Sequence, residues 1–452
     1  MKNVKKSSRI SVVAVSAITA ATLVVGCGSG GSASNSGGNS SGTSSGGKTS
    51  LTLWNVDSGA AEKVDKKLVA QYNSENPKAK ITAQFFQSNP YLQKLQIAMG
   101  AHNAATIFGN WGGGRLENYI TPGDVVDLTP YLNADPSWKN KFLPSVMKSV
   151  TFNGKVYGIP YGNMQPVNFF YNKKLFKKYN LTPPTTWKEL LSDVQVFKSH
   201  GVIPISLGGK DNWPDLMYFE YIVDRLGGQQ PYKNVAAGKA NAWSNPTITK
   251  ALQMMLNLKK AGAFEPGLSS VGSNDGSDSA LLYGGKAAMW LMGSWGYGAI
   301  EANDKSFISQ LGWFPFPAIS GGKGNPKDVA GNPSNYYSIP TSASKSQVKA
   351  AVNFLKNYNL NSQNVKNYLN IGYVPGIKGI KSKLQQSKSS SYETFYYNLA
   401  SNAPYFQQSW DTALSAAEGN QLDSDLGKLM VGQMTISKFE SDMNTQLKKA
   451  SK

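Results

Sequence analysis

The chain has 452 residues, of which 40% are apolar and 16% charged, with 10 Trp, 22 Tyr and 18 Phe. That length and aromatic content predict two or three domains with a sizeable core and exclude a wholly disordered chain. A single cysteine excludes an internal disulfide and cysteine-rich metal sites, and two histidines, His102 and His200, exclude a multi-histidine metal centre. The net charge is +19, from 46 Lys and Arg against 27 Asp and Glu, which favours anionic surroundings. The lysines are scattered and form no basic track, so no nucleic-acid partner is expected.

Residues 1–26 carry Lys2, Lys5, Lys6 and Arg9 and no acid, followed by the small, apolar, uncharged run Ile10 to Val25. A basic start before a short apolar run reads as a secretory signal rather than a membrane span. The run ends in Leu23-Val24-Val25-Gly26-Cys27, which resembles the bacterial lipoprotein signal, in which cleavage before the cysteine is coupled to its lipidation. Cys27 is the expected lipidation site, placing the protein on the extracellular face of the cell membrane. Of the 23 residues from 28 to 50, 17 are Gly or Ser. Such a stretch has no core to bury and predicts a flexible tether spanning roughly 25 Å.

The body begins with the strand-like Leu51-Thr52-Leu53-Trp54-Asn55-Val56. Val64, Leu68 and Tyr72 then recur at i, i+4 and i+8, a helical face that Asn76-Pro77 stops. Lys80 to Phe85 alternates as a strand. Ala105 to Phe108 is a short apolar run that breaks at Gly109-Asn110-Trp111-Gly112-Gly113-Gly114. Thr186-Trp187-Lys188-Glu189 has capping-box spacing, Leu190, Val194 and Phe197 continue that helix, and Gly201 closes it. Val348, Ala351, Val352 and Leu355 mark a further amphipathic helix. Strands alternating with helices of this size predict α/β layers with largely parallel sheets.

Catalytic frames are missing. Gly321-Gly322-Lys323-Gly324 is not a phosphate-binding loop, Gly112-Gly113-Gly114-Arg115 is not a dinucleotide fingerprint, and Met292-Gly293-Ser294-Trp295-Gly296 is not a nucleophile elbow. No cofactor, metal or enzymatic activity is expected. Tryptophans beside polar residues recur instead at strand ends: Trp54 with Asp57, Asn110 with Trp111, Asp211-Asn212-Trp213, and Trp295 after Gly293-Ser294. Loops beyond the carboxyl ends of strands are where α/β folds place ligands. A flat indole covers the apolar face of a pyranose, and amides or carboxylates take its hydroxyls. Trp290 and Trp313, inside apolar runs, are expected in the core.

Four segments occur in the order of one family: Leu51 to Tyr72; Gly154 to Tyr161 followed by Phe169 to Phe176; Pro183 to Leu190; and Gly284 to Met289 running into Gly293-Ser294-Trp295. Over residues 50–450 the chain resembles the family-1 extracellular solute-binding proteins of ABC importers, a maltose-binding-protein-like group. The resemblance implies an α/β, two-lobe periplasmic-binding-protein-like fold with a ligand cleft between lobes. Lobe 1 is expected to comprise 51–163 plus about 315–365, and lobe 2 about 164–314 plus 366–452. It also implies a non-enzymatic, monomeric carrier that closes on an oligosaccharide and delivers it to permease subunits with their ATPase, the tether keeping it near them. By matching position, Trp295 stacks on sugar, Gln165 replaces a cleft carboxylate, Asn110 and Trp111 supply polar and stacking contacts, and Trp410 is the late aromatic of lobe 2. Asn332, Asp211 and, by a looser match, Asp57 face the cleft. A di- to tetrasaccharide is expected, with neutral plant-derived sugars favoured over an acidic glycan. The alternatives are a lipid-anchored glycan hydrolase or lyase, and an adhesin for extended polysaccharide.

Overall fold

The computed structural model describes residues 48–450, with the side chain of Ala450 left out. The signal, Cys27 and residues 28–47 of the tether lie outside these residues. Thirteen strands follow in chain order: β1 (Thr49–Asn55), β2 (Ala79–Phe85), β3 (Ile107–Asn110), β4 (Thr151–Phe152), β5 (Lys155–Val156), β6 (Ile159–Tyr161), β7 (Gln165–Asn172), β8 (Ile203–Ser206), β9 (Ala287–Gly293), β10 (Leu311–Phe314), β11 (Val329–Asn332), β12 (Asn335–Ser338) and β13 (Phe406–Gln408).

They build two lobes, each around one sheet. The first sheet has the order β2-β1-β3-β12-β6, and the second β13-β11-β7-β9-β8, with β10 also pairing β7. β4 and β5 form a small separate hairpin. The chain passes between the sheets from β6 to β7 through Gly162–Met164, and from β11 to β12 through Pro333–Ser334.

The sheets are mixed rather than largely parallel. β1 runs parallel to β2 and β3, β8 to β9, and β11 to β13. β12 is antiparallel to β3 and β6, and β7 is antiparallel to β9, β10 and β11. The crossings explain the difference. β7 and β12 each begin where the chain arrives from the other lobe, so they run away from the cleft while β1, β3, β9 and β11 end at it. The expectation of parallel sheets took account of the strand–helix alternation and not of strands that change lobe.

The local signals behave as their chemistry requires. Helix Gly59–Glu75 buries Val64, Leu68 and Tyr72 and stops at Asn76, whose N–H bonds the carbonyl of Tyr72. Thr186 and Glu189 form a reciprocal capping box at the start of helix Trp187–Ser199, which buries Leu190, Val194 and Phe197. Gly201 follows that helix with φ +70, a conformation that glycine adopts without a Cβ penalty. Helix Lys345–Asn357 opens with a second capping box, Ser344 with Gln347, and buries Ala351, Phe354 and Leu355. In the first lobe Leu51, Leu53, Ile81, Ile107 and Phe108 fill the space under the sheet. In the second, Phe169 stacks on Phe314 at 4.9 Å and Tyr221 on Phe316 at 4.6 Å. Among the described residues no helix is long and apolar enough to cross a membrane.

Candidate functional site: a cleft between the lobes

Four strands end, and two begin, at one cavity of about 580 Å³. From the first lobe Asp57 follows β1 and Trp111 follows β3. From the second, Trp295 follows β9, and Trp213 opens the helix Trp213–Gly227. Asn332 ends β11, while Gln165 opens β7 and Asn335 opens β12. The lobes meet around this space. Gln408 Nε2 donates to the carbonyl of Trp111 at 3.0 Å, and Asn89 Nδ2 to that of Asp211 at 3.4 Å. Arg115 Nε donates to the carbonyl of Asp411 at 2.6 Å.

Of the ten expected contact residues, the cavity gathers Asp57, Trp111, Gln165, Trp213, Trp295 and Asn332. Trp213 and Trp295 stand as a pair, with ring centroids 6.2 Å apart and planes at 51°. Three of the others stand behind the wall. Asn110 donates through Nδ2 to Ser338 Oγ at 2.9 Å, and its Oδ1 accepts the N–H of Gly112 at 2.9 Å, which fixes the turn that presents Trp111. Asp211 accepts from the N–H groups of Ser273 and Asn274 at 2.8 and 2.9 Å and from Asn274 Nδ2 at 2.8 Å, holding the loop Ser273–Gly276 at the cavity edge. Trp54 is buried, edge-on to Phe86 at 5.9 Å, with Lys94 Nζ 4.2 Å from its ring centroid.

Trp410 is placed differently. It is 1% exposed and packed among Phe219, Tyr232 and Trp243 at centroid distances of 5.3, 5.1 and 5.6 Å. Its backbone turn carries the next residues, Asp411 and Thr412, to the cavity. Trp290 also departs from the core expectation in part: it is buried but lines the cavity, and its Nε1 donates to Asp278 Oδ2 at 2.9 Å. Trp313 is half-buried. The sequence reading missed Phe86, Met217, Asp278, Tyr373 and Asp423, all in the wall. Only the Gly-flanked polar run Ser273–Asp278 carried a local signal, as a loop after an apolar helix.

The carboxyl groups of the wall are shaped by burial. Asp278 is pushed up to about 6, chiefly by desolvation, which outweighs the hydrogen bonds from Ser273, Trp290 and the N–H of Ser279. Burial also raises Asp57 and holds Asp423 well above the usual carboxylate range, with the nearby charge of Asp411 adding to the latter. Behind Asp57 lies a polar network. Asn55 Nδ2 donates to Asp65 Oδ2 at 2.6 Å and to Tyr337 Oη at 2.9 Å, Tyr161 Oη donates to Asn55 Oδ1 at 2.7 Å, and Tyr368 Oη to Asp65 Oδ1 at 2.5 Å. Burial, with the nearby charge of Asp57 adding to it, holds Asp65 well above the usual carboxylate range.

Several wall groups have no partner among the described residues: Gln165 Oε1, Asn335 Oδ1, Trp213 Nε1 and Asp423 Oδ1. Buried polar atoms are normally satisfied, so donors and acceptors left open around one cavity mark where a polar ligand completes them. The mixture of acceptors, a donor and indole faces suits a molecule with many hydroxyls and an apolar ring face.

Residues 57–362 match the family described as bacterial extracellular solute-binding protein. A solved chitin oligosaccharide binding protein is 26% identical, covers 89% of this chain and 99% of its own, and superposes with a TM-score of 0.81. A structure from work on xylan utilization by the thermophilic bacterium Caldanaerobius polysaccharolyticus is 30% identical, covers 88% of this chain and 99% of its own, and superposes at 0.79. An uncharacterized ABC transporter extracellular-binding protein of Pyrococcus horikoshii is 25% identical over 267 residues, 58% of this chain and 59% of that protein. The match thus spans less than two thirds of that relative's length. With the family match running through both sheets and both sides of the cleft, this chain belongs to the bacterial extracellular solute-binding proteins.

Proposed function

We propose that the protein is the carbohydrate-binding component of an ABC importer, taking up a di- to tetrasaccharide and handing it to a membrane permease. The observation that carries this reading is the 580 Å³ cavity between lobes, walled by three polar-flanked indoles, Trp111, Trp213 and Trp295, and by unpartnered amide and carboxyl groups. That volume falls within the range of about 300–1,000 Å³ usual for small-molecule sites. The likeness to chitin-oligosaccharide and xylan-related proteins supports a short oligosaccharide, and a neutral plant-type sugar is our favoured ligand.

In this reading Trp111, Trp213 and Trp295 cover pyranose faces, and Asp57, Gln165 and Asn332 bond hydroxyls. Asp411, Thr412 and Asp423 take over the contact role expected of Trp410. Asn110, Asp211 and Trp54 position the wall. The crossings Gly162–Met164 and Pro333–Ser334 act as hinges between the lobes. Sugar bridging both halves favours the closed state by its differential affinity, and the permease with its ATPase reads that state. The protein acts as a monomer without chemistry on the sugar, held to the membrane by a lipidated Cys27 and its tether.

The test is a thermal-shift screen of the full chain, purified in detergent, against neutral and acidic oligosaccharides, with sugar integrity assayed afterwards. A ligand at a hundred times its Kd stabilises the folded state by about 2.7 kcal/mol, so a hit is a clear rise in Tm. A rise with intact sugar supports the importer reading. A rise with sugar consumed favours a hydrolase or lyase, and no rise with any sugar overturns carbohydrate binding.

A further inference from the structure

The cavity wall carries six carboxyl groups, Asp57, Glu62, Asp275, Asp278, Asp411 and Asp423, and no Lys, Arg or His is among its residues. This is the reverse of the chain as a whole, where cations outnumber acids 46 to 27. Three of the six have a cation outside the wall: Lys66 lies 2.5 Å from Glu62, Lys210 3.0 Å from Asp275, and Arg115 3.8 Å from Asp411. Asp57 and Asp278 instead accept from neutral donors, Asn55 and Trp290 among them, and Asp423 Oδ1 accepts from none. Beside them Gln165 and Asn335, 7% and 2% exposed, present unpartnered carbonyl oxygens.

We infer that the cleft selects its ligand by charge: it admits saccharides without carboxylate, sulfate or phosphate, and Asp57, Asp278 and Asp423 are the groups that exclude anionic sugars. The inference rests on the sugar-binding reading and narrows its ligand class. An anion bound here gives up part of its water and meets no cation in the wall, a penalty that hydrogen bonds to neutral groups do not repay. It also faces carboxyls that must either repel it or stay protonated. An uncharged hydroxyl has the opposite experience, because it donates to the open oxygens of Gln165, Asn335 and Asp423. The basic exterior attracts anionic glycans at long range, so their rejection has to be made in the wall.

The experiment pairs uncharged gluco-, galacto- and manno-oligosaccharides of two to four units with their C6-oxidised, carboxylate-bearing counterparts. Each is titrated calorimetrically into the full chain in detergent at neutral pH and low salt. The expected result is that at least one uncharged sugar binds and its carboxylate counterpart binds at least about tenfold more weakly, or about 1.4 kcal/mol. Asp278→Asn removes a wall carboxylate whose oxygens are already taken by Ser273, Ser279 and Trp290, and is expected to narrow that gap. Rising salt screens the attraction of the basic exterior more than the repulsion inside the wall, so the gap is expected to persist or widen with salt. A carboxylate sugar that binds as tightly as its uncharged partner overturns the charge inference alone. A gap that Asp278→Asn leaves unchanged overturns its electrostatic origin. Failure of every sugar in both columns overturns the sugar reading, and this inference with it.

Discussion

The Nε of Arg115, in the first lobe, donates at 2.6 Å to the backbone carbonyl of Asp411, in the second. Its Nη1 donates to Asn420 Oδ1 at 2.8 Å, so one buried guanidinium from helix Gly113–Ile120 spans two turns of the opposite lobe. Close approach makes this reach effective: a Cβ at Gly113 or Gly114 would collide with the carbonyls of Thr412 and Leu414. Arg115→Ala removes charged hydrogen bonds worth about 1.5–3 kcal/mol each and leaves their acceptors unpaired. We expect a loss of about 2–4 kcal/mol in unfolding free energy, read by denaturant melts, with weaker sugar binding because the lobes part more readily. Unchanged stability and affinity would show that this contact does not hold the lobes together.

Trp213 and Trp295 face the cavity as a pair, whereas Trp410 lies in the core, and the two placements predict different phenotypes. Trp295→Ala or Trp213→Ala is expected to weaken sugar binding by about ten- to a hundredfold, from lost apolar cover of about 1.5–3 kcal/mol, with a modest change in Tm. Trp410→Ala empties an aromatic nest and is expected to cost about 3–5 kcal/mol of stability, with affinity little changed in the protein that remains folded. Parallel calorimetry and melting of the three variants decides it. A Trp410→Ala protein that is stable and no longer binds would return Trp410 to the ligand.

Gly293 sets where the Trp295 indole lies. A Cβ at Gly293 would fall inside the ring of Trp295, and Gly293 is the last residue of β9, held by pairing to Val167. The backbone is fixed, so Gly293→Ala must displace the indole. We expect binding to fall at least as far as in Trp295→Ala while the protein still melts cooperatively. A methyl tolerated with full affinity would show that the indole position is unimportant.

How much of this was legible in the sequence depends on the range of each interaction. The helix of Val64, Leu68 and Tyr72, the Thr186 capping box and the Trp187–Ser199 helix are local, so their residues announce them. Trp111, Gln165 and Trp295 reach the cavity because they flank strand ends, which the alternation of elements marks. Trp410 has the same polar-flanked look, yet Phe219 and Trp243, far away in sequence, bury it. Asp423 lies inside an amphipathic helix, Ala416–Met430, and nothing near it in sequence distinguishes it from a solvated acid. The antiparallel runs of β7 and β12 follow from which lobe the chain has just left, a property of the whole path.

Three buried acids in the second lobe tie stability to pH. Burial pushes Asp215 up to about 8, Glu265 to about 7 and Asp278 to about 6, from ordinary values of 3.8, 4.5 and 3.8. Both oxygens of Asp215 lack a partner among the described residues, while Glu265 accepts the N–H of Leu207 at 3.2 and 3.3 Å. Asp215 also feels the charges of Glu265, which raises it, and of Lys259, which lowers it. Each raised acid keeps its proton in the folded state at a pH where the unfolded chain has released it. The folded state therefore binds more protons, and stability falls as pH rises. The fall begins near pH 4 and ends near 6 for Asp278, near 7 for Glu265 and near 8 for Asp215, with a slope of about 1.4 kcal/mol per unit for each group still titrating. Tm in ligand-free protein should therefore decline from about pH 5 to about pH 8, with Asp215 and Glu393, which burial also pushes up to about 8, carrying the last unit. Asp215→Asn keeps the shape and removes the proton, so its Tm should fall less steeply than the parent's between about pH 7 and 8 and exceed it at the upper end. A parent Tm that is level or rising over this range would mean that these acids are ionised in the fold.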